Sequence, residues 1–138
     1  MKEQYIEDGL VRFGYFHFAF LGPESQWAGE ASECAAEQNA FWEYHNYLFE
    51  VLSGPNQVDF NKDNLKQFAA DMGLNSNLFD ECIDSGKHSG TVQDESNAAR
   101  QIGVQSTPTF LINGQALIGA QPFEVFQQVI EDQLNSVP

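Results

Sequence analysis

The stretch that decides the fold is GVQSTPTFLING, residues 103–114, near the carboxyl end of the chain. Its apolar residues 109–112 are followed by Asn113-Gly114 and then by a second apolar run at residues 116–118. Asn-Gly between two short apolar runs favours a two-residue β-hairpin, because both central positions of a type I′ turn need a positive φ. The stretch therefore predicts a β-hairpin.

Helical patterns lie on both sides of this hairpin. Downstream, Pro122 suits the first turn of a helix that runs to about Leu134 with apolar residues on one face. Upstream, apolar stripes bounded by glycine and proline predict five successive helices, and residues 1–8 read as the end of a helix closed by Gly9. The five predicted helices span residues 24–38, 41–52, 63–72, 77–85 and 88–101.

Residues 11–20 carry aromatic side chains at both odd and even positions, which predicts a strand covered on both faces. The predicted order is helix end, strand, five helices, β-hairpin and helix. This order indicates an α/β domain with an inserted helical lobe.

Composition limits the partners that the chain can take. Its 138 residues suit one domain, 1–138, and six basic against twenty acidic side chains give a net charge of −14. Such a field repels phosphate backbones and anionic lipid headgroups, so no nucleic acid is expected. We expect no membrane insertion, since no apolar run reaches the ~18 residues of a membrane span. The polar start of the chain lacks the apolar core of a signal peptide.

Several segments resemble the DsbA-like branch of the thioredoxin superfamily, and residues 103–114 are the most specific of them. The others are residues 9–13, 31–38, 41–45 and 79–86. The resemblance covers almost the whole chain and implies a thioredoxin-like α/β fold with a helical insertion at about residues 24–102. It also implies a periplasmic or otherwise extracytoplasmic location, with no cofactor.

The resemblance assigns a role to the loop Ser106, Thr107 and Pro108. In the family the proline at this position is cis, and the residue before it faces the redox-active cysteines. A turn of this kind exposes backbone groups to which an extended peptide can add as a strand. The implied partner is an extended peptide or an unfolded exported protein.

The family's Cys-x-x-Cys motif is not in the printed sequence, nor is the strand that precedes it in the family. The chemistry needs two thiols one helical turn apart at a helix N-terminus, whereas Cys34 and Cys82 fall in the middle of predicted helices. The chain thus resembles a thiol:disulfide oxidoreductase that lacks the first central strand and the start of the first helix. We assign no catalytic residue and expect this chain to be inactive. The alternative is a non-catalytic peptide- or partner-binding module that uses the cis-proline loop.

Without that central strand, the predicted strands at residues 11–20 and 109–112 have open edges. Such edges invite pairing with another chain. We therefore expect a homodimer or strand exchange through the unpaired sheet edge.

Cys34 and Cys82 leave three alternatives open: two buried core residues, a structural disulfide between two helices of the lobe, or a redox-active pair. Their spacing fits no zinc motif, and no metal is expected. One bridge, if formed, would favour an extracytoplasmic setting.

The three histidines, His17, His45 and His88, are isolated in sequence and show no ligand spacing. We expect them to be satisfied or exposed, although His17, on the predicted strand, could stabilise a thiolate.

An acidic stripe on the first predicted helix consists of Glu30, Glu33 and Glu37. Its helical spacing predicts a solvated face.

Overall fold

The computed structural model describes residues 2–55 and 57–136. Within these ranges the chain forms a short π-helical segment, six α-helices and two strands. In chain order they are the π-helical segment Lys2–Ile6, α1 Pro23–Ala36, α2 Phe41–Ser53, α3 Lys62–Asp71, α4 Ser76–Ser85, α5 Ser89–Gln101, β1 Thr109–Ile112, β2 Gln115–Ile118 and α6 Phe123–Ser136.

The predicted hairpin is confirmed. Strands β1 and β2 pair antiparallel, with Thr109 opposite Ile118 and Ile112 opposite Gln115. The turn residues Asn113 and Gly114 have φ angles of 49° and 89°, as a type I′ turn requires. All six predicted α-helices are present with bounds shifted by at most a few residues.

The predicted strand at residues 11–20 is wrong. The structure assigns no strand there, and the only ladder among the described residues joins β1 to β2. The backbone N–H of His17 donates to Glu95 Oε2 at 2.7 Å, and that of Ala19 donates to Ser96 Oγ at 2.9 Å. Because a strand is defined by backbone pairing, donors that are satisfied by side chains leave extended chain outside any sheet.

The chain divides into two compact units. The first comprises residues up to 16 together with those from 100 onward, and it contains the hairpin and α6. In this unit the ring of Phe110 meets that of Phe126 edge-on, with centroids 4.8 Å apart. The hydroxyl of the buried Tyr5 donates to Glu131 Oε1 at 2.6 Å, and this bond raises the pKa of Tyr5.

The second unit, His17–Ala99, holds helices α1 to α4 and most of α5. Its core lies where α1 packs against α2, α3 and α4. Tyr44 is fully buried in this core and donates its hydroxyl to the carbonyl oxygen of Leu65 at 2.8 Å. Burial raises the pKa of Tyr44 far above its ordinary value.

Candidate functional site

The loop before β1 presents the predicted peptide-binding residues on the surface. The Thr107–Pro108 peptide bond is cis, and Ser106, Thr107 and Pro108 are all exposed. The loop is fastened at both ends, since Thr109 Oγ1 donates to the Ser106 carbonyl at 2.6 Å and Gly119 N–H donates to the Pro108 carbonyl at 2.8 Å.

Between these two anchors lies Thr107. Over residues 2–55 and 57–136, neither its backbone N–H nor its carbonyl makes a hydrogen bond. An exposed donor and acceptor on one residue, held in a fixed loop beside a strand, can pair with an extended peptide backbone.

The two cysteines lie in the other unit and are bonded to each other. Cys34 in α1 and Cys82 in α4 form a disulfide with an S–S distance of 2.01 Å and a Cα–Cα distance of 5.8 Å. Both residues are buried, with exposed fractions of 1% and 3%. The structure thus joins two helices of the lobe through this bond and leaves no free thiol among the described residues.

A cavity of about 250 Å³ is lined in part by Cys82. Its lining residues are Glu37, Gln38, Leu78, Glu81, Cys82, Ser85 and Lys87.

His88, in the turn between α4 and α5, completes the surroundings of the bond. One of its ring nitrogens lies within 4.8 Å of both sulfur atoms. Its Nε2 is 2.8 Å from Glu37 Oε1, and Lys87 Nζ is 2.7 Å from the same oxygen. The hydrogen bond from Lys87 holds the pKa of Glu37 below its ordinary value, and that from His88 adds to the effect. Because the sulfurs are bonded to each other, they are not thiolate ligands for a metal in this state.

His17 is satisfied, as expected for a histidine without ligand spacing. It is 4% exposed, and its Nε2 lies 2.7 Å from Glu33 Oε1. A Cβ atom added at Gly29 in α1 would lie 3.2 Å from Nδ1 of His17 and 3.0 Å from a methyl carbon of Val92. The histidine that lies within 4.8 Å of the two sulfur atoms is His88.

The prediction of a solvated acidic stripe is wrong for Glu30. Its side chain is buried, with a residue exposure of 4%, and it accepts a hydrogen bond from Gln26 Nε2 at 3.0 Å. The carboxylate of Glu33 contacts His17, and Glu37 lines the same cavity as Cys82. No periodic signal identifies these partners, because helical spacing reports only which residues share a face.

A family of known proteins resembles this chain over most of its length. A family model described as Thioredoxin matches residues 1–132. The chain therefore belongs to the thioredoxin family.

Two similar proteins from Bacillus subtilis match almost the whole of this chain. Disulfide bond formation protein D of Bacillus subtilis is 23% identical over 138 residues, which cover 98% of this chain and 62% of that protein. The crystal structure of oxidised BdbD from Bacillus subtilis has the same fold, with a TM-score of 0.86 over 98% of this chain and 75% of that chain, at 23% identity.

Another relative is named Na(+)/H(+) antiporter NhaA 3, from Salinispora tropica. It is 29% identical over 132 residues, which are 94% of this chain and 20% of that protein. The chain therefore spans less than two thirds of either curated relative. Among the described residues, no helix combines the length and the apolar character that crossing a membrane requires.

Proposed function

We propose that this chain is the peptide-binding part of a DsbA-like thiol:disulfide oxidoreductase that exchanges disulfides with exported proteins outside the cytoplasm. The observation that carries the proposal is the exposed loop Ser106–Pro108, in which the backbone groups of Thr107 are unpaired within the described residues. The name of the Bacillus subtilis relative, Disulfide bond formation protein D, supports the reaction class.

In this proposal an extended peptide adds to the loop as a short antiparallel strand. The Thr107 N–H donates to a peptide carbonyl, and the Thr107 carbonyl accepts from a peptide N–H. With a net charge of −14, the chain favours peptides without excess negative charge.

A second candidate function is a non-catalytic binding module that uses the same loop. It is favoured by the content of the printed sequence, which has two cysteines, bonded to each other, and no Cys-x-x-Cys. Both candidates require the loop to bind peptide, and both predict that this chain alone does not turn over dithiol substrates.

Peptide binding is tested with a fluorescein-labelled, cysteine-free, unstructured peptide of net positive charge, measured by anisotropy. Thr107→Arg places a bulky side chain at the binding position, and Gln115→Arg, on β2, adds the same charge and bulk elsewhere in the same unit. We expect Thr107→Arg to weaken binding at least about tenfold, equal to a loss of about 1.4 kcal/mol. Equal affinities for the two variants would contradict the assignment of the loop.

The two candidates are separated by the mass of the native gene product, measured after tagging the 3′ end of its gene. A product several kDa heavier than 15.4 kDa plus the tag supports the oxidoreductase, and a product at that mass supports the binding module. An insulin-reduction assay tests inactivity directly. Turnover by this chain that survives Cys34→Ser and Cys82→Ser would overturn that expectation.

We also propose that the chain pairs with a second copy through the edge of its hairpin. The sheet has two strands within the described residues, and Leu111 and Ile118 are 53% and 63% exposed. Leu111→Lys should shift the chain from dimer to monomer, because a charge on an edge strand opposes pairing. Light scattering after gel filtration measures both, and a monodisperse monomer for the unaltered chain would contradict the dimer.

A further inference from the structure

We propose that the Cys34–Cys82 disulfide is a thiol-exchange site. A low-molecular-weight thiol attacks Cys82, and His88, held by Glu37, stabilises the sulfur that leaves. This inference goes beyond the proposed function, because it uses only residues of the second unit and does not depend on the peptide-binding loop.

One of the two cysteines lines the cavity. Cys82 lines the cavity of about 250 Å³, and Cys34 is not among the described residues that line it. A thiol that enters this cavity meets Cys82, so Cys34 is the leaving sulfur. The cavity lies below the roughly 300–1,000 Å³ of pockets for drug-sized ligands, so its size suits a small thiol.

The side chains beside the bond favour exchange. A His88 ring nitrogen lies within 4.8 Å of both sulfurs, and the Glu37 carboxylate lies 2.8 Å from Nε2 of the same ring. A histidine ring beside a sulfur can donate a hydrogen bond to the thiolate that leaves. A sulfur that leaves as a stabilised thiolate leaves faster. The His88 ring thus lies beside both the Glu37 carboxylate and the two sulfur atoms.

The cavity wall also selects among thiols. Glu81 lines the cavity together with Glu37, while Lys87 is bound to the Glu37 carboxylate. Carboxylates in the cavity lining, on a chain of net charge −14, disfavour thiols that carry additional negative charge. The preferred reactant is a small thiol whose only charge is its reacting thiolate.

The exchange proceeds in two balanced steps. The thiolate RS⁻ forms a bond to Cys82 Sγ while the Sγ–Sγ bond breaks, and Cys34 departs with the electron pair as a thiolate. A second thiolate attacks the sulfur of the bound R group, releases RSSR and leaves Cys82 as a thiolate. The two cysteines take up the two protons lost by the incoming thiols. Two thiols are oxidised to one disulfide, and Cys34–Cys82 is reduced to a dithiol.

The test uses the intact chain under native conditions, with dithiothreitol as the small thiol. Samples are quenched with iodoacetamide, and the alkylated cysteines are counted by mass spectrometry. We expect a reduction rate that is first order in dithiothreitol and flat across low urea concentrations. A rate that saturates with dithiothreitol, or that rises with urea as steeply as global unfolding does, would mean that the bond opens only in the unfolded chain and would overturn the proposal.

Variants test the role of the imidazole. His88→Gln should slow reduction by about tenfold, because the leaving Cys34 loses the imidazole beside it. Glu37→Gln should slow it by a smaller factor, and His45→Gln, the same change on α2 away from the cavity, should leave the rate unchanged. A folded His88→Gln chain that reacts as fast as the unaltered chain would refute the assistance. If His88→Gln does not fold, the thiol and urea dependences of the unaltered chain still decide the proposal.

Discussion

Removal of the Cys34–Cys82 bond should cost the second unit about 4 kcal/mol of unfolding free energy. The two cysteines are separated by 48 residues. A cross-link that closes a loop of this length lowers the entropy of the unfolded chain by an amount worth about 4 kcal/mol at 25 °C. Because a domain has a net stability of about 5–15 kcal/mol, this one bond supplies a large part of it.

Two perturbations separate the cross-link from the packing of its atoms. Reduction with dithiothreitol breaks the bond and keeps both sulfurs, whereas Cys34→Ala with Cys82→Ala also removes the sulfurs from a buried site. We expect the reduced chain to lose about 4 kcal/mol and the double variant to lose somewhat more, because truncation in a core leaves a cavity.

The assay is urea unfolding followed by tryptophan fluorescence, since Trp27 packs against the core of this unit. With a slope of about 2 kcal/mol per M, a loss of about 4 kcal/mol lowers the urea midpoint by about 2 M. The double variant measured with and without dithiothreitol is the control, and its two midpoints should coincide. A reduced chain within about 1 kcal/mol of the oxidised one would refute the loop-entropy reasoning.

Three further predictions concern the second unit, each measured by urea unfolding. Tyr44→Phe should cost about 0.5–1.5 kcal/mol at pH 7, because the hydrogen bond from the Tyr44 hydroxyl to the Leu65 carbonyl is lost. Since burial raises the pKa of Tyr44, the unaltered chain should lose stability as pH rises above about 10, and the variant should lack that share of the loss. The lowered pKa of Glu37 contributes stability that is present above its ordinary pKa of 4.5 and is lost as pH falls through the lowered value. Glu37→Gln should therefore show a shallower loss in acid, and an equally steep loss would contradict this assignment. Gly29→Ala should cost about 1–3 kcal/mol, because its Cβ would meet neighbouring side chains at 3.0–3.2 Å. Gly90→Ala, with nothing within 4 Å, should instead stabilise the helix by about 0.5–1 kcal/mol, and similar effects at the two glycines would show that crowding is not the cause.

Local signals predicted the helices and the hairpin because the physics that determines them is local. The side chain of Asn75 accepts from Leu78 N–H and caps α4, and Gly86 ends that helix with a φ of 63°. Asn113 and Gly114 set the hairpin turn and with it the register of β1 and β2. Each of these features involves residues within a few positions of one another, so sequence alone is sufficient.

The strand prediction failed because pairing is not a local property. Residues 11–20 have the apolar pattern of a buried strand, but the N–H groups of His17 and Ala19 bond to side chains of Glu95 and Ser96. The residues of the first pair are 78 positions apart. A pattern of alternation or continuous burial predicts extended backbone, and it does not say what that backbone pairs with.

Contacts between residues far apart in the chain also determine which parts of the candidate sites the sequence could predict. The loop Ser106–Pro108 is predicted only by the resemblance to a known family. Its exposure and its unpaired backbone groups leave no periodic pattern in the sequence. The cysteine pairing stayed open, because a disulfide requires Cα atoms within roughly 4.4–6.8 Å, and only the packing of α1 on α4 brings Cys34 and Cys82 to 5.8 Å.

The contacts of Lys87 and His88 with Glu37 could not be predicted from the charges in the sequence. The chain has twenty acidic and six basic side chains, so each basic side chain could pair with any of several carboxylates. The charge pattern of the sequence therefore does not predict which carboxylate it binds. Helix α1 ends next to the turn that carries Lys87 and His88, and both side chains reach one oxygen of Glu37. That placement puts an imidazole beside the Cys34–Cys82 sulfurs, and it arises from where two helices end, not from any spacing along the chain. A reactive environment for the disulfide is therefore a property of tertiary packing, which is why its test must be made on the folded chain.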